Sequence, residues 1–127
     1  MSKVKVYVII NEQHSLFEEQ KRILDQKFPS WEFYKIPAEG LTLDEQRQVV
    51  QELKENTVVF ASPVPFLMKE LAYIAGFADP ANCENANGLL IGYGTQVLVF
   101  HNDKRQKREL PNGKIISVVA ETGWQLV

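Results

Sequence analysis

The two histidines of the chain each follow a segment whose hydrophobic pattern predicts a β-strand. His14 comes shortly after the apolar run 6–10, and His101 ends the run 96–101. If these runs are parallel strands of one sheet, both imidazoles lie at its carboxyl edge, where α/β folds bind ligands. A histidine titrates near neutral pH and can act as an acid, a base or a polar anchor. The alternative is that His14 belongs to a helix N-terminus and that His101 is bonded to backbone at a strand end.

Polar residues after the strands extend this candidate site. The first strand is followed by Asn11, His14 and Ser15, and the third strand by Ser62. We predict that these four residues bind a small polar ligand, because helix N-termini also point free amides toward this edge. Strand order decides the arrangement. The order 2-1-3-4 makes Ser62 the neighbour of Asn11, whereas the order 3-2-1-4 makes His14 and His101 flank one crevice.

Charged residues and the single cysteine provide further candidates. Glu70 falls within a predicted helix; a carboxylate near a crevice can act as a nucleophile toward a sugar carbon or as a general base, and otherwise it is a solvated helix charge. Residues 104–108 carry four positive charges, which either contact phosphates of RNA, DNA or a nucleotide or protect an edge strand. Cys83 has no histidine near it in sequence, and no Cys/His cluster has zinc spacing, so we predict no metal site.

Composition and motifs exclude several classes of function. The chain has 14 Lys and Arg against 16 Asp and Glu, so general nucleic-acid binding is disfavoured apart from the local patch at 104–108. It has neither a Gly-x-Gly-x-x-Gly motif nor a Walker lysine loop, and we predict no cofactor. The apolar runs are too short to span a bilayer, and the start lacks the apolar core of a signal peptide. We therefore expect a cytoplasmic protein with no membrane partner.

Strand and helix patterns alternate over the first 76 residues. Strands are predicted at 3–10, 31–36 and 57–61, and an amphipathic helix pattern follows each of them. Three such units favour a parallel sheet with right-handed crossovers.

Short polar signatures predict where the helices begin. The first helix is expected to open at His14 and Ser15, because Ser15 with Glu18 fits a capping box. Thr42 with Glu45 repeats that signature for the second helix. For the third helix the predicted N-cap is Ser62.

The C-terminal third differs in kind. A polar loop at 79–88 is followed by strand-like segments at 89–93 and 96–101, and a β-hairpin is predicted at 107–120 around the turn signal Pro111-Asn112-Gly113. We predict one α/β domain over residues 1–127. It is a three-layer Rossmann-like fold whose sheet is parallel for the first three strands and carries an antiparallel C-terminal hairpin extension.

Two segments resemble the nucleoside deoxyribosyltransferase-like family of small Rossmann-like proteins. Residues 6–10 with Phe17 and Gln20 are similar to the family's opening strand and helix, and residues 69–76 are similar to the helix that bears its nucleophilic glutamate. The resemblance implies that Glu70 attacks the anomeric carbon of a nucleoside or nucleotide in an oligomeric enzyme. The family usually has an Asp and a Gly-Thr pair ahead of that helix, and this chain has Ala-Ser-Pro-Val-Pro-Phe there instead.

A second resemblance is to small Rossmann-like proteins associated with CRISPR systems, some of which bind or cleave cyclic oligoadenylates. It rests on chain size, on His14 in the loop after the first strand, and on Ser62-Pro63 after the third strand.

Three functions stay open from the sequence. The favoured one is binding of a small polar, nucleotide-like ligand at the carboxyl edge of the sheet. An alternative is an enzyme that acts on a nucleotide, either by glycosyl transfer through Glu70 or by phosphodiester cleavage assisted by His14 or His101. The third is a non-catalytic homo-oligomeric assembly protein whose C-terminal hairpin builds a dimer.

Overall fold

The computed structural model describes residues 5–76 and 95–127. The elements are, in chain order, β1 (Val6–Asn11), α1 (Glu18–Lys27), β2 (Glu32–Ile36), α2 (Leu43–Leu53), β3 (Thr57–Phe60), α3 (Pro65–Gly76), β4 (Gln96–His101), β5 (Arg105–Glu109), β6 (Ile115–Val119) and β7 (Gln125–Leu126). The predicted loop at 79–88, with Cys83, and the predicted strand at 89–93 lie outside the described residues.

Five of the strands form one sheet in the order β2-β1-β3-β4-β7. The neighbours from β2 to β4 are all parallel, and β7 pairs antiparallel with β4. This is the predicted α/β class, and its order is the 2-1-3-4 alternative. Because β4 is parallel to the first three strands, its last residue, His101, lies at the same sheet edge as the loops after β1 and β3.

The strands bury side chains on both faces of the sheet. Alternate residues of a strand point to opposite faces, so Ile9 and Val58 pack with α2 and α3, whereas Val8 and Val59 pack with α1. Every residue of β3 is buried. A central strand buried on both sides is typical of a three-layer α/β fold, which the structure confirms. In the described part of the chain, no helix has the length and apolar character needed to cross a membrane.

The first helix begins later than predicted. It starts at Glu18, with Phe17 as its N-cap residue, and the Phe17 amide donates to Gln20 Oε1 at 2.9 Å. Leu16 is buried, and the Phe17 ring stacks on Trp124 with centroids 5.9 Å apart. Phe17 has extended backbone and its ring is held by this stacking, so the helix starts after it and the predicted Ser15–Glu18 capping box is wrong.

The second helix begins as predicted. The Glu45 amide donates to Thr42 Oγ1 at 3.1 Å, and the Thr42 amide donates to Glu45 Oε1 at 2.9 Å. Both halves of the capping box are present, and the two side chains that form it are exposed.

The predicted hairpin is present, but it forms a separate two-stranded sheet of β5 and β6. The strand that extends the main sheet is β7. Asn102, buried where the chain leaves β4, fixes the base of the hairpin: its Nδ2 donates to Ala120 O at 3.0 Å and to Thr122 O at 2.9 Å, and its Oδ1 accepts from the Lys104 amide at 2.9 Å. The hairpin therefore projects from the carboxyl edge of the sheet.

Candidate ligand-binding cleft

A cleft of about 560 Å³ opens where β3 and β4 end. Side chains of both sheet faces and of the hairpin base contribute to its walls. The polar lining residues are Ser62, His101, Asn102, Asp103 and Arg105, and the apolar ones include Met68, Val119 and Trp124. Two of the residues predicted from the sequence, Ser62 and His101, therefore share one cavity.

A short network joins the loop after β1 to the loop after β3. The Asn11 amide donates to Ser62 Oγ at 3.0 Å, and His14 Nδ1 lies 3.1 Å from the same oxygen. The His14 amide donates to Asn11 O at 2.8 Å, which closes the turn between them. The structure thus brings together three of the predicted residues, because β1 and β3 are neighbours in the sheet.

Ser62 is not the N-cap of the third helix, and that prediction is wrong. The helix begins at Pro65, a residue whose fixed φ and missing amide hydrogen suit the first helical position. The Ser62 amide donates to Ile9 O at 3.1 Å. The same carbonyl also accepts from the Ala61 amide at 2.9 Å, so the chain that leaves β3 stays bound to β1, and Ser62 lies beside the loop after β1.

Arg105 brings an anchored positive charge to the cleft. Its Nη1 donates to Asn102 O at 2.9 Å and to Lys104 O at 3.1 Å. No carboxylate in the described part of the chain forms an ion pair with it. A guanidinium has five N–H donors in a rigid plane, so an anchored Arg105 still has donors to offer an anion.

The basic segment at 104–108 divides between the two faces of the hairpin. Every residue of β5 is exposed. Because side chains alternate along a strand, Lys107 shares the face of Arg105, and Arg108 lies on the other. Only Arg105 among these cations lines the cleft.

Two further predicted residues lie elsewhere. Ser15 is exposed in the segment before α1 and does not line the cleft. Glu70 lines a separate groove of about 300 Å³ between α2 and α3, together with Arg47 and Phe66. The structure therefore does not bring Glu70 together with His14, Ser62 and His101, and its proposed chemistry stays a prediction.

Sequence reasoning did not single out Asn102, Arg105 or Trp124 as site residues. Asn102 directly follows a strand, which was a usable signal for the sheet edge. Arg105 was one of four adjacent cations, and only the hairpin register separates it from the others. Trp124 reaches the cleft through the turn at Gly123, whose φ of +95° only glycine adopts readily.

Among the described residues, no group of three or more His, Cys, Asp or Glu side chains is placed to hold a metal ion. Comparisons with protein-family models, with curated proteins and with solved structures found no match. The fold and the cleft together define a Rossmann-like three-layer α/β protein with a cavity of mixed apolar and polar lining at the carboxyl edge of its sheet.

Proposed function

We propose that the protein binds a small, negatively charged, nucleotide-like ligand in this cleft. The observation that carries the proposal is the Arg105 guanidinium, which is anchored to two backbone carbonyls, has no acidic partner in the described part of the chain, and lines the same cavity as Ser62 and His101.

The lining suits a ligand with one anionic end and one apolar end. Guanidinium groups bind phosphate and carboxylate with paired hydrogen bonds. The Trp124 and Met68 side chains provide apolar surface for a base or a sugar face. Asp103 lines the same cleft and disfavours a highly charged di- or triphosphate. The cavity volume falls within the roughly 300–1,000 Å³ of small-molecule sites. A nucleoside monophosphate combines these properties.

Thermal unfolding with a panel of AMP, GMP, CMP, UMP and inorganic phosphate tests this proposal. A ligand at a hundredfold excess over its Kd stabilises the folded state by about 2.7 kcal/mol. For a domain of this size, that corresponds to a rise in Tm of roughly 10 °C. We expect at least one mononucleotide to raise Tm by more than inorganic phosphate does.

Arg105→Gln should weaken that stabilisation. Arg108→Gln is the matched control, because it removes the same charge from the opposite face of the same strand. The proposal is wrong if no mononucleotide raises Tm, or if the two variants respond equally to the nucleotide that does.

Catalysis and self-assembly are the other functions predicted from the sequence. Phosphodiester cleavage assisted by His14 or His101 fits the cleft, where His101 is a lining residue and His14 contacts the lining residue Ser62. Glycosyl transfer through Glu70, a homodimer built by the hairpin and a cytoplasmic location stay predictions.

A further inference from the structure

Ser62 Oγ lies between a backbone donor and an imidazole. Since the oxygen accepts a hydrogen bond from the Asn11 amide, the hydroxyl hydrogen is free to point elsewhere. The acceptor within reach is His14 Nδ1, at 3.1 Å, when the neutral ring carries its proton on Nε2. Ser62 is 5% exposed and lines the cleft, whereas His14 is exposed. This is the contact that a serine nucleophile makes with its general base.

We infer that Ser62 is a nucleophile toward phosphate esters bound in the cleft and that His14 is its general base. Ser62 Oγ forms a bond to phosphorus while its proton passes to His14 Nδ1. The phosphorus–oxygen bond to the leaving alcohol breaks, and the proton on His14 goes to that alcohol. Water then attacks the phosphorus of the phosphoserine while its proton passes to His14 Nδ1. The bond between phosphorus and Ser62 Oγ breaks, His14 gives that proton to Oγ, and the phosphate product leaves the cleft.

The remainder of the cleft supports this chemistry. Negative charge builds up on the non-bridging phosphoryl oxygens during the displacement, and preorganised donors stabilise it. The anchored Arg105 guanidinium lines the same cavity as Ser62. The inference rests on the cleft of the proposed function, but not on which ester or nucleotide binds there.

A fluorophosphonate probe tests the nucleophile directly. A reactive serine bonds to its phosphorus and expels fluoride, and mass analysis of peptides from the intact folded protein locates the adduct. We expect labelling at Ser62. In His14→Gln the rate should fall about 100-fold or more, which is the contribution typical of a general base.

Two further variants keep the test decisive. Ser30→Ala removes an exposed serine that does not line the cleft, and it should leave the labelling rate unchanged. Ser62→Ala should abolish labelling; if it fails to fold, Ser62→Cys replaces it, because the thiol keeps a small polar side chain. In that variant iodoacetamide should alkylate the introduced thiol faster when His14 is present than in the double variant with His14→Gln.

The inference is overturned if the folded protein acquires no adduct at Ser62, or if labelling proceeds at the same rate without His14. Its failure would leave nucleotide binding intact, since the thermal measurement needs no covalent step. Conversely, labelling of Ser62 without stabilisation by any mononucleotide would retain the nucleophile and remove the proposed ligand class.

Discussion

Replacing Asn102 with alanine should loosen the hairpin from the sheet and lower both stability and ligand affinity. The side chain is 8% exposed and makes three hydrogen bonds of 2.9–3.0 Å, to the backbone of Ala120, Thr122 and Lys104. Each such bond contributes about 0.5–1.5 kcal/mol net, and the bond to the buried Ala120 leaves its carbonyl without this partner. We therefore expect Asn102→Ala to lower the free energy of unfolding by about 2–4 kcal/mol.

Asn102→Asp should cost at least as much. It keeps an oxygen for the Lys104 amide but points a second carboxylate oxygen at the carbonyl oxygens of Ala120 and Thr122, so two attractive contacts become repulsive. Asn112→Ala is the control: this exposed asparagine at the far end of the same hairpin makes one 3.0 Å bond to the Lys114 amide, and its loss should cost under about 1 kcal/mol.

Urea denaturation followed by fluorescence and circular dichroism measures these differences. The same variants, titrated with the nucleotide that raises Tm most, report on the cleft, because Arg105 is anchored to the backbone carbonyl of Asn102. Typical surface substitutions change the free energy of unfolding by up to about 0.5 kcal/mol. If Asn102→Ala changes it by no more than that, the side chain does not hold the hairpin and the reasoning is refuted.

Three further measurements check other contacts. Glu19 Oε1 accepts hydrogen bonds from the amides of Gly123 and Trp124 at 2.7 Å each, so Glu19→Ala should lower the free energy of unfolding in urea by about 2–3 kcal/mol. The control Glu18→Ala removes an exposed 3.5 Å ion pair and should lower it by under about 1 kcal/mol. Equal losses in the two variants would contradict this account. Gly123→Ala should lower stability in the same assay, because φ is +95° and the new Cβ would lie 3.1 Å from atoms of two side chains; an unchanged midpoint would show that the turn relaxes freely. Burial is the larger cause, and the 2.8 Å hydrogen bond to Glu52 the next, that raise the pKa of Tyr34 to about 12. The protonated Tyr34 phenol therefore stabilises the fold fully below pH 10, and this stabilisation is lost as pH rises from about 10 toward 12. Phenolate absorbance of the parent minus Tyr34→Phe should show that pKa, and Glu52→Gln should lower it; an unchanged value would assign the shift to burial alone.

Periodicity was sufficient to predict the layers of the fold, because each strand and helix buries a face that its own residues define. The strand Thr57–Phe60 has one polar residue followed by three apolar ones and lies in the sheet centre, buried on both faces. Thr42 with Glu45 predicted a helix start correctly because both partners of the capping box are local. Strand order was not predictable in the same way, because it depends on which strand edges pair. The hydrophobic pattern allowed both 2-1-3-4 and 3-2-1-4, and the structure has the first.

The cleft was predictable only in outline. Position after a strand was enough to place Ser62 and His101 at one sheet edge, and both line the cavity. Arg105 required the register of the hairpin, in which it pairs with Val119, and Trp124 required the turn before β7. Contacts between residues so distant in sequence leave no local periodicity from which to infer them.

The two helix caps that failed have different physical causes: Leu16 and Phe17 make apolar contacts ahead of the first helix, whereas Ser62 bonds to groups outside the third helix. Serine before a helix has two competing uses: to accept an amide of its own first turn, or to bond elsewhere while the helix starts by other means. At Ser62 the adjacent prolines decide the competition, because Pro65 starts the helix without a cap and the pairing of β3 with β1 draws the serine toward Asn11 and His14. Natural sequences break local rules most often at functional sites. Ser62 breaks the capping rule: its hydroxyl contacts the His14 imidazole and lines the cleft that Arg105 also lines. The covalent probe shows whether this hydroxyl is reactive or whether its hydrogen bond only joins two loops.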